Sequence, residues 1–324
     1  MSEQPEVLFV TQTLGEKAAC GIGIMGDLIA QTLLRAKRHR IRAVYADNTE
    51  TVEREITSSV GAIIYHYSAA TTPWLNSTVL PSQYPNIKHI LTHHDMQQST
   101  IDAVGDVLAG AFQYIIADNP LLRPSSRIFT TQRLIPPFTP RVAYVDIGIP
   151  LIGFHGFGPT HKGIPRIAEY VQAEFDDAII RLHIPYGYYG DPGGANALAR
   201  VGEVRSIITK PGILVEASHD LWPTQQIVDF LAQNTINCYF YDLLPGSGLA
   251  SSPDFALAAR RPIAVTRSHQ MRNYWDLEPS VLIESRSLKE IIANGTKPLE
   301  PLYEAYSEEH VIADYERILD KVLA

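Results

Sequence analysis

Lys162 stands in the run HGFGPTHKG, where Gly156, Gly158 and Gly163 surround one cation directly after an apolar stretch, LIGF, at 151–154. A fixed lysine there can neutralise a phosphate group as charge builds on it in a bond-breaking step. A second stretch of this kind is Gly246, Ser247, Gly248 and Leu249, followed by Ser251, Ser252 and Pro253. Serine before proline marks a helix start. Free N–H groups at such a start, with glycines allowing close approach, suit an anion. Asp254 in the first turn either meets hydroxyls of a ligand or serves the helix dipole. His94 follows the strand-like HILT and is flanked by His93 and Asp95. Its imidazole can hydrogen-bond a hydroxyl or shuttle a proton. His66, after AIIY, adds a further imidazole, and the set raises the question of a metal site. Neighbours on an extended chain point to opposite faces, so His93 and His94 do not readily share one ion, and no metal is expected.

Other residues carry weaker signals. Gly15, Gly21 and Gly23 form a loop after the first strand, where glycine permits tight turns and close ligand approach. GIGIMG, at 21–26, fits the GxGxxG spacing of a dinucleotide site. It begins ten residues past the strand, and only Asp47 offers an acid after the second strand, so a nicotinamide cofactor is not expected. His155, Tyr186, Tyr188, Tyr189 and Asp191 follow the first two strands of the second half, where tyrosines either stack on a ligand ring or build a loop. His219 and Asp220 follow GILVEA and either face a cleft or lie on the surface. Cys20 is isolated, and nothing supports a nucleophilic role.

These residues need elements to place them. A chain of 324 residues exceeds one ordinary core and suits two domains. Spacing predicts strands over 7–11, 41–45, 62–65, 89–92, 114–117 and 127–130, then 151–154, 178–184, 212–217, 237–242, 262–266 and 281–284. Helix-length segments between them imply parallel pairing through crossovers. Ile22, Met25, Ile29 and Leu33 mark one helix face, and the basic residues from Arg35 to Arg40 complement the dipole at its end. Ile164, Ile167, Ala168 and Val171 mark another, and Ile227, Val228 and Leu231 a third. A helix over 253–259 lies between two strands, and a last one begins after Ser307, with Val311, Tyr315, Ile318 and Val322 on its apolar face. Pro136, Pro137 and Pro140 stiffen the chain at the middle. The expected domains are therefore 1–140 and 141–307, with a helix over 308–324 packing back on the first. Open α/β sheets bind ligands beyond the carboxyl ends of their strands.

Composition narrows the partners. A net charge of −8 disfavours broad nucleic-acid binding. Two distant cysteines, Cys20 and Cys238, fit a reducing compartment rather than a disulfide scaffold. Residues 1–6 lack the layout of a signal peptide, and no apolar run approaches the roughly 20 residues of a membrane span. A cytoplasmic location without stable membrane insertion is expected.

Five segments, taken in order, resemble the family-4 glycosyltransferases of the GT-B type. They are VLFVTQTLGEKAACGIGIMGDLIAQTL, HILTHHDM, IGFHGFGPTHKGI, YDLLPGSGLASSPDFALAARRPIAVT and YSEEHVIADYERIL, and together they span nearly the whole chain. The resemblance implies an α/β fold of two Rossmann-like domains with parallel sheets facing a central cleft. It implies transfer of a sugar from a nucleotide diphosphate sugar to an acceptor hydroxyl, with retained configuration and no cofactor or obligatory metal. It assigns catalytic roles to His94 and Lys162. It places the donor on His155, Gly156, Lys162, Gly246, Ser247, Gly248, Leu249, Ser251, Ser252 and Asp254. The acceptor side falls to Gly15, Cys20, Gly21, His66 and Asp95. The acceptor itself is open among a glycan, a lipid-linked intermediate, a protein and a modified nucleic acid. Two departures stand out. The family's paired glutamates fall near Ser247 and Phe255, and its arginine before the lysine falls near Phe157. Alternatives are thus a nucleotide-sugar or glycan-binding protein without catalysis, or a nucleotide-sugar epimerase of the same fold.

Overall fold

The structure, a computed structural model, describes residues 4–12, 21–69, 71–104, 112–187 and 191–324. Gly15, Cys20, Tyr188 and Tyr189 lie outside the described residues. The chain divides into two compact units, Met1–Leu134 with Ala305–Ala324, and Ile135–Glu304.

The first unit is built on β1 (Glu6–Thr11), β2 (Arg40–Tyr45), β3 (Val60–His66), β4 (Lys88–Thr92), β5 (Tyr114–Ala117) and β6 (Ile128–Thr130). All five pairings are parallel, in the order β2-β1-β3-β4-β5-β6. β1 is buried along its whole length, as a central parallel strand covered on both faces must be. The chain runs from β1 outward to β2 and returns across β1 to β3, which opens a crevice between the carboxyl ends of β1 and β3. The helix Gly21–Leu33 makes the first crossover and buries Met25, Leu28, Ile29 and Leu33.

The second unit contains β7 (Leu151–His155), β8 (Asp177–His183), β9 (Gly212–Ser218), β10 (Ile236–Tyr239) and β11 (Ile263–Val265). They are again parallel, in the order β11-β10-β7-β8-β9. Here the reversal lies between β7 and β10. The expected strand over 281–284 shrinks to a single bridge between Leu282 and Val265. Val265 N donates to Val281 O and Val265 O accepts from Ile283 N, and the Leu282 carbonyl then accepts from the N–H groups of Ser285 and Arg286, which turn the chain. Among the described residues, no helix is long and apolar enough to cross a membrane.

The helix Glu308–Leu323 packs in the first unit, against the helix Gly21–Leu33, and buries Val311, Tyr315, Ile318, Leu319 and Val322. Its attachment corrects one sequence expectation. The helix Gly21–Leu33 ends before the basic run and has no basic residue in its last turn. The run binds acids of the final helix instead. Arg35 pairs with Glu308, and Arg38 with Asp320. His39 Nε2 lies 2.7 Å from Asp320. Glu316, with its side chain 9% exposed, accepts from the backbone N–H groups of Lys37 and Arg38 at 2.7 and 2.6 Å and from Arg38 Nε at 3.0 Å.

Removing this carboxylate leaves two backbone donors without their acceptor. Glu316→Ala is expected to lower stability by about 2–3 kcal/mol in urea denaturation. Burial alone would raise the Glu316 pKa, but the Arg38 and Lys37 donors outweigh it and hold the carboxyl below its usual range. Its contribution is therefore complete above about pH 4.5 and is lost as pH falls through the lower folded value.

Candidate functional site

In the second unit, the chain leaves β7 at His155 and makes an abrupt turn at Gly156, where φ is +146°. It continues into a short 3-10 turn, Thr160–Lys162. Gly163 then adopts a left-handed conformation, φ +56°, and opens the helix Ile164–Glu174. No side chain fits at Gly163, since a Cβ would lie 2.0 Å from the Phe240 carbonyl oxygen. That close approach locks the loop onto the segment beyond β10. Asp242 N donates to His161 O at 2.7 Å, and Arg166 pairs with Asp242.

This geometry delivers Lys162 to the mouth of the reversal between β7 and β10. A Cβ at Gly156 would lie 2.8 Å from Lys162 Nζ and 2.9 Å from Ser252 Oγ, so ammonium, hydroxyl and bare backbone converge there. The ammonium sits over the rings of Tyr241 at 5.3 Å and Phe157 at 5.9 Å. Among the described residues it pairs with no carboxylate. Gly246, with φ +82°, Ser247, Gly248 and Leu249 form the loop between β10 and the helix Ser252–Ala258. Arg272 Nη1 donates to Ser247 O at 3.0 Å, and Leu249 is buried. The Ser251 side chain makes no capping bond, contrary to the sequence expectation; its backbone sits near the helical region rather than extended. Asp254 is fully enclosed, and Phe255 packs its edge on His155 at 5.6 Å.

Next to this mouth lies a row of rings that the sequence did not reveal as a set. His155, His183 and Ser218 are in register at the ends of three neighbouring strands. The His155 and His183 rings stack at 5.3 Å, and Trp222 lies flat on His183 at 3.6 Å. His183 Nδ1 and Ser218 Oγ are 2.9 Å apart. Burial and the nearby His219 push the His183 pKa down to about 3. Burial, His183 and the Lys162 charge hold His155 well below the usual histidine range. Matching the last residues of consecutive strands would have exposed this row. In the tyrosine-bearing loop, the described residues Tyr186 and Asp191 serve the fold. Tyr186 stacks on His219 at 5.0 Å, and Asp191 caps the helix Ala195–Ile207 by accepting from Asn196 N and Ala197 N at 3.0 and 2.9 Å. Asp220 is exposed.

The crevice of the first unit gathers Thr11 at the end of β1, Gln12 just after it, His66 at the end of β3, and His94 beyond β4. GIGIMG has a packing role there. A Cβ at Gly23 would lie 1.9 Å from Gln12 Nε2, and one at Gly26 would lie 2.4 Å from His66 Nδ1 and 2.6 Å from Thr11 Oγ1. The two glycines thus admit polar side chains against the helix. Gly21 is the first residue of that helix. The His66 and His94 rings meet edge to face at 4.6 Å. His94 Nδ1 lies 2.8 Å from Asp118 Oδ2, to which the buried Arg133 donates at 2.9 Å. Burial and the adjacent His94 push the His66 pKa far down. His93 turns away towards Tyr67, 6.2 Å off, and Asp95 is exposed. Thr11, Gln12, Asp118 and Arg133 were not singled out in the sequence, because nothing in their local spacing joins them.

Two consequences can be measured. Gly156→Ala forces a side chain into a backbone region reserved for glycine and displaces the Lys162 ammonium, so stability in urea should fall by about 1–3 kcal/mol. His66, His155 and His183 stay neutral when folded but bind a proton once unfolded below about pH 6.5. The unfolded state then holds more protons, so stability must drop as pH falls from about 6.5 to 5, by up to about 1.4 kcal/mol per pH unit for each histidine. A urea midpoint constant over that interval would contradict this burial.

No family model matches the chain, and no curated protein matches it by sequence. Solved structures do. A glycosyltransferase from Rickettsia africae ESF-5 aligns over 99% of each chain with a TM-score of 0.65 at 10% identity. Sucrose-phosphate synthase from Thermosynechococcus elongatus aligns over 98% of this chain and 99% of its own, with a TM-score of 0.66 at 10% identity. HepE from Anabaena, in complex with UDP and glucose, aligns over 98% and 100%, with a TM-score of 0.60 at 9% identity. At such identity the likeness is one of fold, and the fold is that of GT-B glycosyltransferases, with two parallel-sheet α/β domains.

Proposed function

We propose that the protein is a glycosyltransferase that moves a sugar from a nucleoside diphosphate sugar to an acceptor hydroxyl. The carrying observation is Lys162, a cation without a carboxylate partner among the described residues, held beside Gly156 and the Ser252 hydroxyl at the strand reversal of the second unit. In α/β sheets that position is where ligands bind. A diphosphate leaving group gains negative charge as its bond to the sugar breaks, and a cation already in place lowers that barrier without reorganisation. The UDP and glucose held by HepE support a donor of this class. Lys162, Gly156, the loop 246–249 and Ser252 hold the diphosphate, and His155 borders it. His94 and His66 in the first unit serve the acceptor. Retention of configuration and independence of a metal belong to the same reading, through the family resemblance. The acceptor stays open among glycan, lipid-linked, protein and modified nucleic-acid hydroxyls.

One observation favours binding without transfer. Ser247 and Phe255 occupy the places of the family's paired glutamates, and the neighbouring Asp254 is enclosed rather than offered to a ligand.

Thermal unfolding with UDP, GDP, ADP and their glucose and mannose conjugates tests the proposal. A matching nucleotide at 100 times its Kd stabilises by about 2.7 kcal/mol, an upward shift of about 5–10 °C. Lys162→Ala should weaken that binding about 10- to 100-fold, the worth of a charge-assisted contact. Absence of any shift at millimolar nucleotide sinks the donor site. A shift without sugar release to water or to any acceptor selects the binding protein.

A further inference from the structure

The strongest unassigned arrangement lies in the first unit. Thr92 pairs with Ile116 in the sheet, so His94 and Asp118 each stand two residues beyond that pair on adjacent strands. Arg133 reaches them from the segment after β6 and is only 5% exposed. Its Nη1 donates to Asp118 Oδ2 at 2.9 Å and lies 3.4 Å from the Asp118 carbonyl oxygen. The same Oδ2 lies 2.8 Å from His94 Nδ1. A guanidinium only donates, so this oxygen must accept, and the imidazole nitrogen facing it must carry the hydrogen. Burial alone would raise the Asp118 pKa, but His94 and Arg133 together hold it well below the usual carboxylate range. The acceptor is therefore ionised at neutral pH.

A neutral imidazole with hydrogen on Nδ1 has a bare lone pair on Nε2. Among the described residues, His94 Nε2 has no hydrogen-bond partner, and neither do His66 Nε2, Thr11 Oγ1 or the amide atoms of Gln12. Buried polar atoms of this kind are ordinarily bonded, so a cluster of them calls for a ligand or water. The Asp118 and Arg133 charges offset each other, and the other groups gathered there are imidazole nitrogens, a hydroxyl and an amide. Such a set suits hydroxyl groups, each of which donates and accepts, better than an anion.

We propose that Asp118 and Arg133 are positioning residues that lock His94 as the Nδ1–H tautomer, so that its Nε2 accepts the hydrogen bond of a ligand hydroxyl in the first unit. This deepens the transferase reading and rests on it for the identity of the hydroxyl as the acceptor's. Arg133 adds a constraint that a simple Asp–His pair lacks. Its donor requires an oxygen at the shared position. In Asp118→Asn the amide must therefore turn its oxygen, not its NH2, towards both His94 and Arg133, and the tautomer is retained. Asp118→Ala removes the oxygen and releases the lock.

The test is nitrogen-15 histidine labelling of the full chain, with two-bond proton–nitrogen correlation at pH 7.5 and His94→Gln to assign the ring. The wild type and Asp118→Asn should show hydrogen on Nδ1 and a bare Nε2. Asp118→Ala should show Nε2–H, with a urea transition that establishes folding. Hydrogen on Nε2 in the wild type overturns the proposal, as does an unchanged lock in Asp118→Ala. A ring that switches in Asp118→Asn overturns the role of Arg133. If Asp118→Ala does not fold, the other two spectra still decide. Where transfer is measurable, Asp118→Ala should lower kcat at least ten-fold, leave the donor KM within two-fold, and be largely rescued by asparagine. Failure of transfer alone would count against the transferase reading and leave the tautomer result standing.

Discussion

Everything chemical in this protein follows from the parallel pairing of its strands. A parallel strand needs a crossover to reach its neighbour, and the crossover covers the sheet face, leaving only strand ends open. Polar chemistry is therefore pushed to the carboxyl edges. In each unit the chain departs from its first strand in one direction and later returns across it. The helices then diverge to opposite faces, and a crevice opens at the reversal. Lys162 occupies that place in the second unit, and the His66–His94 pair occupies it in the first.

The two crevices carry different electrostatics. In the second unit a lysine ammonium stands beside a glycine turn and a serine hydroxyl; burial holds His155 and His183 neutral, and the Lys162 charge adds to this at His155. The balance there is cationic. In the first unit the arginine is neutralised by Asp118, and the surrounding groups are imidazoles, a hydroxyl and an amide. The crevice of the second unit thus presents a cation, whereas in the first the guanidinium is already paired with a carboxylate. Glycine does distinct work at the two. Gly156 and Gly163 let the backbone pass where no side chain fits, whereas Gly23 and Gly26 make room on a helix for the side chains of neighbouring strands.

Most of the architecture was legible because apolar periodicity and strand spacing are local properties. Eleven of the twelve expected strands form; the run at 281–284 is equally apolar, but its backbone is diverted into a turn after one bridge. Among the helices that escaped notice are Ala195–Ile207 and Leu288–Asn294. The first buries only Ala197, Val201 and Val204, so its apolar stripe is faint, although Asp191 supplies a clear cap from five residues away. The second carries a full capping box at Ser287 and Glu290, a signal present in the sequence but short of an apolar run.

Residue types and their local runs set the kinds of chemistry available and the loops that carry them. Lys162 among glycines, the serine-led helix after Gly248 and the histidine after HILT are contiguous patterns, and each sits where a strand ends. Which distant residues complete them is fixed by the packing of the folded sheets. Asp118 and Arg133 join His94 because three adjacent strands bring their ends together, and His183 and Trp222 join His155 for the same reason. The basic run after Leu33 likewise binds a helix more than 270 residues later. Such partners are set by sheet order, which depends on how crossovers pack across the whole domain and leaves no local trace in composition or spacing.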